Sequence, residues 1–386
     1  MAEETHKIFH FSPSQHLYKT ALKTYKLRDA DYSIDAYKRP AAPPIEYPDP
    51  HCKAAKRQRK KARLIAERES GVPSVDLDPQ LETMIFLENK YTRLIQSALE
   101  TIHTEDRTKE TSMVNKNDGS NTEDSFCWSD TCYQTSTVIT TPKLVLLASH
   151  DYKKNELVNQ VCIAHEPTCV EIAGRRHLVP KCEFIISEFT PFCRMMSAST
   201  CRYDLVVIDP PWPNKSVRRG GKYGELDVDR LLRVPMAGMA CGYVCMWVTN
   251  KKKYHLFVED LFKSWGIEIV SEVVWLKLTN ANRPVFDILD RHRKPYEVCI
   301  VGRCDGADVT KVLPRNIVVL SKPSKSHSRK PDIDFVFADV LARDAKKLEL
   351  FARCAREGWT SWGNETLKFN DLCYYEEVQD GYDTQV

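Results

Sequence analysis

The stretch "VVIDPPWPNK", Val206–Lys215, runs three aliphatic residues into an acid, two prolines and a tryptophan. Extended backwards to "DLVVID", it reads as a buried strand rich in β-branched residues. Pro210 and Pro211 end that strand, because each fixes φ and withholds an N–H group. Asp209 therefore sits where the strand runs out. In open α/β sheets ligands bind beyond the carboxyl ends of the strands, so these ten residues set both a fold class and a candidate site.

The surrounding sequence supports that reading. "KLVLLAS", "EFIIS", "YVCMWVT", "IEIVSEVVWLKL", "EVCIVGR", "NIVVLS" and "KLELFAR" are short runs that are apolar on both faces. Helix-like stretches such as "KKKYHLFVEDLFKSW" and "DIDFVFADVLARDA" separate several of them. The pattern predicts an α/β domain over residues 139–386, with a sheet covered on both sides.

The first 138 residues differ in character. Residues 1–52 close on the proline-rich "RPAAPPIEYPDP" and read as a segment with a linker. Residues 53–103 hold two helices. The first carries Lys56, Arg57, Arg59, Lys60, Lys61 and Arg63, which repel one another unless an anion is near. That cluster reads as a nuclear-import signal or a phosphate-contacting arm, against a merely solvated face. The second, "PQLETMIFLENKYTRLIQSALETI" from Pro79, repeats Ile85, Leu87, Tyr91, Leu94, Ile95 and Ala98 at helical spacing and must pack on something. Residues 104–138 are polar, with too little apolar surface to offset their ordering entropy, and are expected to be disordered.

Composition bounds the remaining classes. A net charge of +3 over 386 residues is too small to mark the whole chain as a polyanion binder, so any such role rests on local clusters. The 14 cysteines include no C-x-x-C pair and read as core fillers in a reducing compartment, with no zinc site. The charged N-terminus does not read as a signal peptide. No apolar run reaches the roughly 18 residues a membrane helix needs.

The chemistry suggested at Asp209 is that of an acceptor-lined notch. Its carboxylate and the Pro210 carbonyl face one spot, Pro211 stiffens the corner, and Trp212 offers a flat face. Such a notch suits a planar group with an amine to donate, such as the exocyclic amine of adenine or cytosine. Acceptors on the N–H groups stabilise the positive charge that develops as the amine attacks an electrophile. The competing reading is a strand-end turn with a solvated acid.

"DPPW" after a hydrophobic strand resembles the exocyclic-amine methyltransferases, and specifically the adenosine N(6)-methyltransferase family of the messenger-RNA methylase catalytic subunit. "CMWVTN", "VVWLK", "RKPYEVCIVG", "HSRKPD", "LELFAR" and "GWTSWGNE" resemble that family's blocks in the same order, over roughly residues 180–370, and most resemble its methyltransferase-like four branch. The resemblance implies a Rossmann-like methyltransferase sheet with helices on both faces, preceded by the partly helical, partly disordered N-terminal region. It implies S-adenosylmethionine as cofactor and transfer of methyl to the N(6) amine of adenine in RNA, small nuclear RNA in this branch, with DNA as the alternative polymer.

Roles carry over by position. The catalytic motif is Asp209, Pro210, Pro211 and Trp212. Lys330 would meet the cofactor carboxylate, which needs a cation. Arg353, read as ending the "LELFAR" strand, would hold the adenosyl ribose with Asn364 and Glu365; many relatives have Gln at the Glu365 position. Glu188, in place of the usual Asp, and Phe189 would face the cofactor base. Trp212, Asn214 and Lys215 would meet the substrate; Arg218–Leu226 would form a mobile gate, with Tyr223 closing over the adenine and Arg218, Arg219 and Lys222 meeting phosphates, while Lys277, Glu297 and Lys294 line the substrate side. A nuclear location follows for an enzyme of nuclear RNA, with the cytosol as a second compartment and a protein partner permitted but not required. A degenerate RNA-binding scaffold and a protein-glutamine methyltransferase are the readings of a different class; the intact Asp209–Trp212 motif disfavours the first, and Asp rather than Asn at position 209 disfavours the second.

Overall fold

Apolar strands with no polar face must be covered on both sides, and the chain meets that demand with one large mixed sheet. The computed structural model describes residues 6–10, 17–19, 24–27, 79–106, 144–147, 157–213, 228–288, 290, 293–307, 312–324 and 329–378. The basic cluster Lys56–Arg63, residues 107–138 of the linker expected over 104–138, and the gate expected over Arg218–Leu226 lie outside the described residues, whereas residues 104–106 are helical.

In chain order the strands are β1 (His6–His10), β2 (Leu17–Lys19), β3 (Thr24–Leu27), β4 (Leu144–Leu147), β5 (Val161–Ala164), β6 (Thr168–Ile172), β7 (Arg175–Val179), β8 (Cys182–Ile186), β9 (Tyr203–Ile208), β10 (Ala240–Val248), β11 (Ile267–Lys277), β12 (Tyr296–Cys304), β13 (Asn316–Ser321), β14 (Lys347–Leu350), β15 (Trp359–Gly363) and β16 (Tyr375–Val378). Among the described residues four α-helices accompany them: α1 (Pro79–Asp106), α2 (Phe189–Ala198), α3 (Met236–Met239) and α4 (Lys252–Ser264). Every stretch read as a buried strand forms one.

The main sheet runs β1-β13-β11-β12-β10-β9-β14-β15-β8-β5-β4. Its centre, from β10 through β9, β14 and β15 to β8, is parallel throughout, whereas β12 is antiparallel to both its neighbours and β5 is antiparallel to β8. The carboxyl ends of β8, β15, β14, β9, β10 and β11 therefore share one edge with the start of β12. Among the described residues two short accessory sheets, β16-β3-β2 and β6-β7, are also formed.

One face of the sheet is covered by α1, α2 and α4, which bury Tyr91, Ile95, Phe192, Met196, Val258 and Phe262 against it. On the other face Ile333, Val336 and Phe337 pack on Trp247, Trp275 and Trp359. The residues doing so belong to "DIDFVFADVLARDA", which forms only a short 3₁₀ turn, Asp334–Phe337, rather than a full helix. The Asp332 carboxylate accepts the Asp334 N–H, and such local bonding competes with helical pairing.

The sheet also draws on residues ahead of the expected domain boundary. β1 pairs in parallel with β13 and forms the sheet edge. α1 supplies the partner its periodicity demands: Ile85, Leu87, Tyr91, Ile95 and Ala98 are all buried, and the Tyr91 ring meets Tyr296 of β12 and His255 of α4. Among the described residues, no helix is long and apolar enough to cross a membrane.

Candidate active site

The shared strand edge collects the charged residues singled out above. Asp209 follows β9 and is 8% exposed; its N–H donates to the Leu350 carbonyl at the end of neighbouring β14, at 3.3 Å. Its side chain faces protein rather than bulk water. Lys330 Nζ lies 3.0 Å from Oδ1 and 3.1 Å from Oδ2, and Arg353 Nη1 lies 3.6 Å from Oδ2.

The pairing continues in both directions. Lys330 Nζ is also 3.2 Å from Glu297 Oε2, and Glu297 in turn accepts from Lys277. On the other side, Arg353 Nε is 3.3 Å from Glu365 Oε2, and Lys368 Nζ is 3.2 Å from Glu365 Oε1. Lys277, Glu297, Lys330, Asp209, Arg353, Glu365 and Lys368 thus form a line of alternating sign along the sheet edge.

Within this line the neighbouring charges set the ionisation of Glu297 and Lys330. Burial opposes a charge on Glu297, yet Lys330 and Lys277 outweigh burial and hold its carboxyl at about 2. Burial likewise works against the Lys330 ammonium, and Asp209 and Glu297 outweigh it, raising the group above its ordinary value. Both residues are therefore charged at neutral pH.

The proline corner is fastened from two sides. The Trp212 N–H returns to the Pro210 carbonyl at 2.8 Å, leaving that oxygen one lone pair. Trp212 itself is 8% exposed: its Nε1 donates to the Trp247 carbonyl at 2.7 Å, and its ring lies 4.6 Å from Tyr254. Most of the indole that the sequence offers as a stacking face is therefore packed into the fold. Tyr254 Oη and Lys251 Nζ donate to the Pro213 carbonyl at 3.1 Å and 3.4 Å, so the start of α4 holds the far end of the motif.

The cofactor-side candidates lie along the same edge. Glu188 is exposed at the residue preceding α2, and Phe189 behind it stacks on Phe351 with ring centroids 6.0 Å apart. Asn364, exposed, and Glu365, 5% exposed, follow β15. A bond from the Ser187 N–H to the Gly363 carbonyl, at 3.3 Å, holds the ends of β8 and β15 side by side. Arg353 is not the last residue of its strand: β14 stops at Leu350, and Phe351 turns in the left-handed region at φ 62°. The turn brings the Ala352 backbone so close to β15 that a Cβ on Gly363 would lie 2.5 Å from the Ala352 oxygen. That reversal swings Arg353 back over Asp209. Lys294 lies at the β11–β12 connection, donating to the Ile288 carbonyl at 2.9 Å. Asn214, Lys215, Arg218, Arg219, Lys222 and Tyr223 lie outside the described residues.

Several contributors escaped the sequence reading: Lys251 and Tyr254 on the motif, Lys368 on Glu365, and a half-buried group of Arg356, Asp332 and Glu349 that begins two residues after Lys330. A signal for the first pair existed, since an (i, i+3) pair opening the helix after β10 must lie at the strand edge that carries Asp209.

The MT-A70 family matches residues 203–365, the span from β9 to Glu365. The chain is similar to the human N(6)-adenine-specific methyltransferase METTL4, 36% identical over 225 residues that cover 55% of this chain and 48% of the relative. It is 39% identical over 186 residues to the N6-methyladenosine RNA methyltransferase MTA1 of Cryphonectria parasitica, covering 45% and 55% of the two chains. It is 28% identical over 209 residues to a Caenorhabditis elegans DNA N6-methyl methyltransferase, covering 53% and 57%. The chain thus spans about half the length of the relatives it matches. Residues 203–365, which carry the proline corner and most of the charges around it, match the MT-A70 family.

Proposed function

We propose that this protein transfers the methyl group of S-adenosylmethionine to the N(6) amine of adenine in RNA, with small nuclear RNA in the nucleus as its substrate. The observation that carries the reading is the Asp209 carboxylate, buried at the strand edge, held by Lys330 and Arg353, and adjoining a proline corner that supplies a further acceptor.

The residues at this edge suit the cofactor. Its carboxylate calls for cations, which Lys330 and Arg353 provide; its ribose diol calls for acceptors, which Asn364 and Glu365 provide; its positively charged sulfonium favours a site with Asp209 nearby. When bound, S-adenosylmethionine supplies an electrophilic methyl group. The chain's own part is to bind and aim the amine. A carboxylate has about four lone-pair sites, and Lys330 uses one on each oxygen, so Asp209 keeps acceptors for an N–H group. The remaining lone pair of the Pro210 carbonyl is the second acceptor. Together they would bind the amine through its N–H groups and stabilise the positive charge that grows on nitrogen as the N–C bond forms and the C–S bond breaks, which would leave a neutral thioether and release one proton from nitrogen to solvent.

The polymer is the open choice. The fungal relative's name favours RNA and the nematode relative's name favours DNA, which makes a DNA adenine methyltransferase the second reading. Incubation with isotopically labelled cofactor and matched RNA and DNA oligomers, followed by mass spectrometry of the nucleosides, tests both. Labelled N(6)-methyladenosine from RNA is the expected product. Label confined to deoxyadenosine supports the second reading, and absence of label from both polymers overturns the function.

A further inference from the structure

Lys330 is tethered by more than its own ion pairs. Asp332, two residues on, accepts from Arg356 Nη1 at 2.8 Å, and Arg356 Nη2 donates to Glu349 Oε2 of β14 at 2.6 Å. The guanidinium also lies 4.9 Å from the centre of the Trp359 ring. A second tie runs from Lys347 Nζ, at the start of β14, to Asp334 at 2.8 Å. On the other flank the Arg329 guanidinium lies 4.9 Å from the Phe369 ring centre. Between these ties Pro331 and Ile333 are buried, so the backbone that follows Lys330 is held by packing as well as by the ion pairs.

β14 is also the strand against which Asp209 is placed, through its N–H bond to Leu350 and the pairing of Leu350 with Ile208. One strand therefore locates both partners of the Asp209–Lys330 pair, and Arg356 is the link on the Lys330 side. We infer that Arg356 is a positioning residue, which through Asp332 sets Lys330 at the height of Asp209. It touches neither Asp209 nor Lys330, and three residues before it in the same loop Arg353 reaches Asp209 directly.

The inference rests on the proposed transferase reading for its kinetic readout alone. Two variants, Arg356→Gln and Asp332→Asn, each remove the Arg356–Asp332 ion pair, the second while leaving Arg356 on Glu349 and reducing its tie to Asp332 to a neutral hydrogen bond. The direct measurement is acylation of Lys330 by N-hydroxysuccinimidyl acetate in the full chain, followed by mass spectrometry, with exposed Lys263 as the internal reference. Lys330 acylation should rise severalfold in both variants relative to Lys263, and the double variant should exceed neither single by much, because both act on one contact. Methyl transfer should lose about tenfold in kcat/KM for the cofactor, as expected for a reacting group displaced by a fraction of an ångström. Thermal unfolding shows whether Arg356→Gln has folded; where it has not, Asp332→Asn decides. Unchanged Lys330 acylation in a folded variant overturns the inference. A wild-type protein that methylates no polymer sinks the proposed function instead, and the acylation result still stands for or against Arg356.

Discussion

Lys330 Nζ lies within 3.1 Å of both carboxylate oxygens of Asp209 and 3.2 Å from Glu297 Oε2, so one ammonium is shared between the strand-end acid and the acid at the start of β12. Removing either acid leaves the lysine with the other. The site should therefore stay assembled when Asp209 is altered, and the loss should fall on chemistry. Asp209→Asn is expected to lower the rate constant for methyl transfer by about 10²–10³-fold, the usual effect of deleting one preorganised polar partner of the developing charge. Binding of S-adenosylmethionine, followed by calorimetry, should survive within a few-fold. A kcat within tenfold of wild type would remove Asp209 from the reaction.

Glu297 connects the same pair to acid stability. Its folded-state carboxyl is held at about 2, below its ordinary value near 4.5, because Lys330 and Lys277 outweigh its burial. A depressed acid contributes stability that is complete above the unfolded value and disappears as pH falls through the folded one. Wild-type protein should thus lose this contribution between about pH 4.5 and pH 2, whereas Glu297→Gln should show a shallower loss over that window. Urea unfolding at pH 5 and pH 3 checks it; equal slopes for the two proteins would show that Glu297 is not coupled to its lysines.

Trp212 is expected to act as an anchor for the proline corner. Its Nε1 donates to the Trp247 carbonyl, and its ring is sandwiched towards Tyr254 and Phe257. Trp212→Phe keeps an aromatic ring and removes the bond, leaving a buried carbonyl with one donor fewer, at a cost of about 1–3 kcal/mol. The variant should lose more in kcat than in KM for the nucleic acid, because the motif is loosened while little stacking surface is lost. A KM effect alone, with kcat intact, would restore the indole as an open platform for the base.

How far the sequence revealed all this depends on the range of each contact. β9 and the placement of Asp209 were legible because an aliphatic run and two prolines are local signals. The blocks containing Lys330, Arg353 and Glu365 were legible through resemblance alone; their spacing in the chain does not reveal that they meet at Asp209. The Arg356–Asp332–Glu349 group was not legible, since it depends on a turn after β14 in which a phenylalanine adopts φ 62°, and no pattern marks that residue for such a conformation. The helix expected over "DIDFVFADVLARDA" failed for a related reason. Its apolar residues do cover the sheet, but Asp332 is occupied by Arg356 and by the Asp334 N–H, and Asp334 by Lys347, which ties the backbone into a turn.

The helix α1 lies outside the span matched by the MT-A70 family and yet is built into the site's foundation. His255 of α4 is 0% exposed, with Phe86 edge-on at 5.5 Å and Tyr91 at 6.2 Å, both from α1. Burial pushes His255 down to about 4, and the nearby Lys90 ammonium pushes the same way. A histidine depressed below its ordinary value near 6.5 favours the folded state in its neutral form. Its contribution is complete above about pH 6.5 and is lost as pH falls towards 4. Between pH 7 and pH 5 the loss should be about 2 kcal/mol, in a window where Glu297 remains ionised in both states, so the two titrations separate. Replacing His255 by Leu should remove its share of this pH dependence and leave that of His177, which burial also pushes down to about 4, and Tyr91→Ala should cost about 3–5 kcal/mol at pH 7 by emptying the same interface. Because Tyr91 also meets Tyr296, the residue before Glu297, its loss should lower methyl transfer as well as stability. Urea unfolding monitored by tryptophan fluorescence at the two pH values, with the transfer assay in parallel, measures each part. A Tyr91→Ala protein as stable and active as wild type would mean that α1 only rests on the methyltransferase sheet and does not brace it.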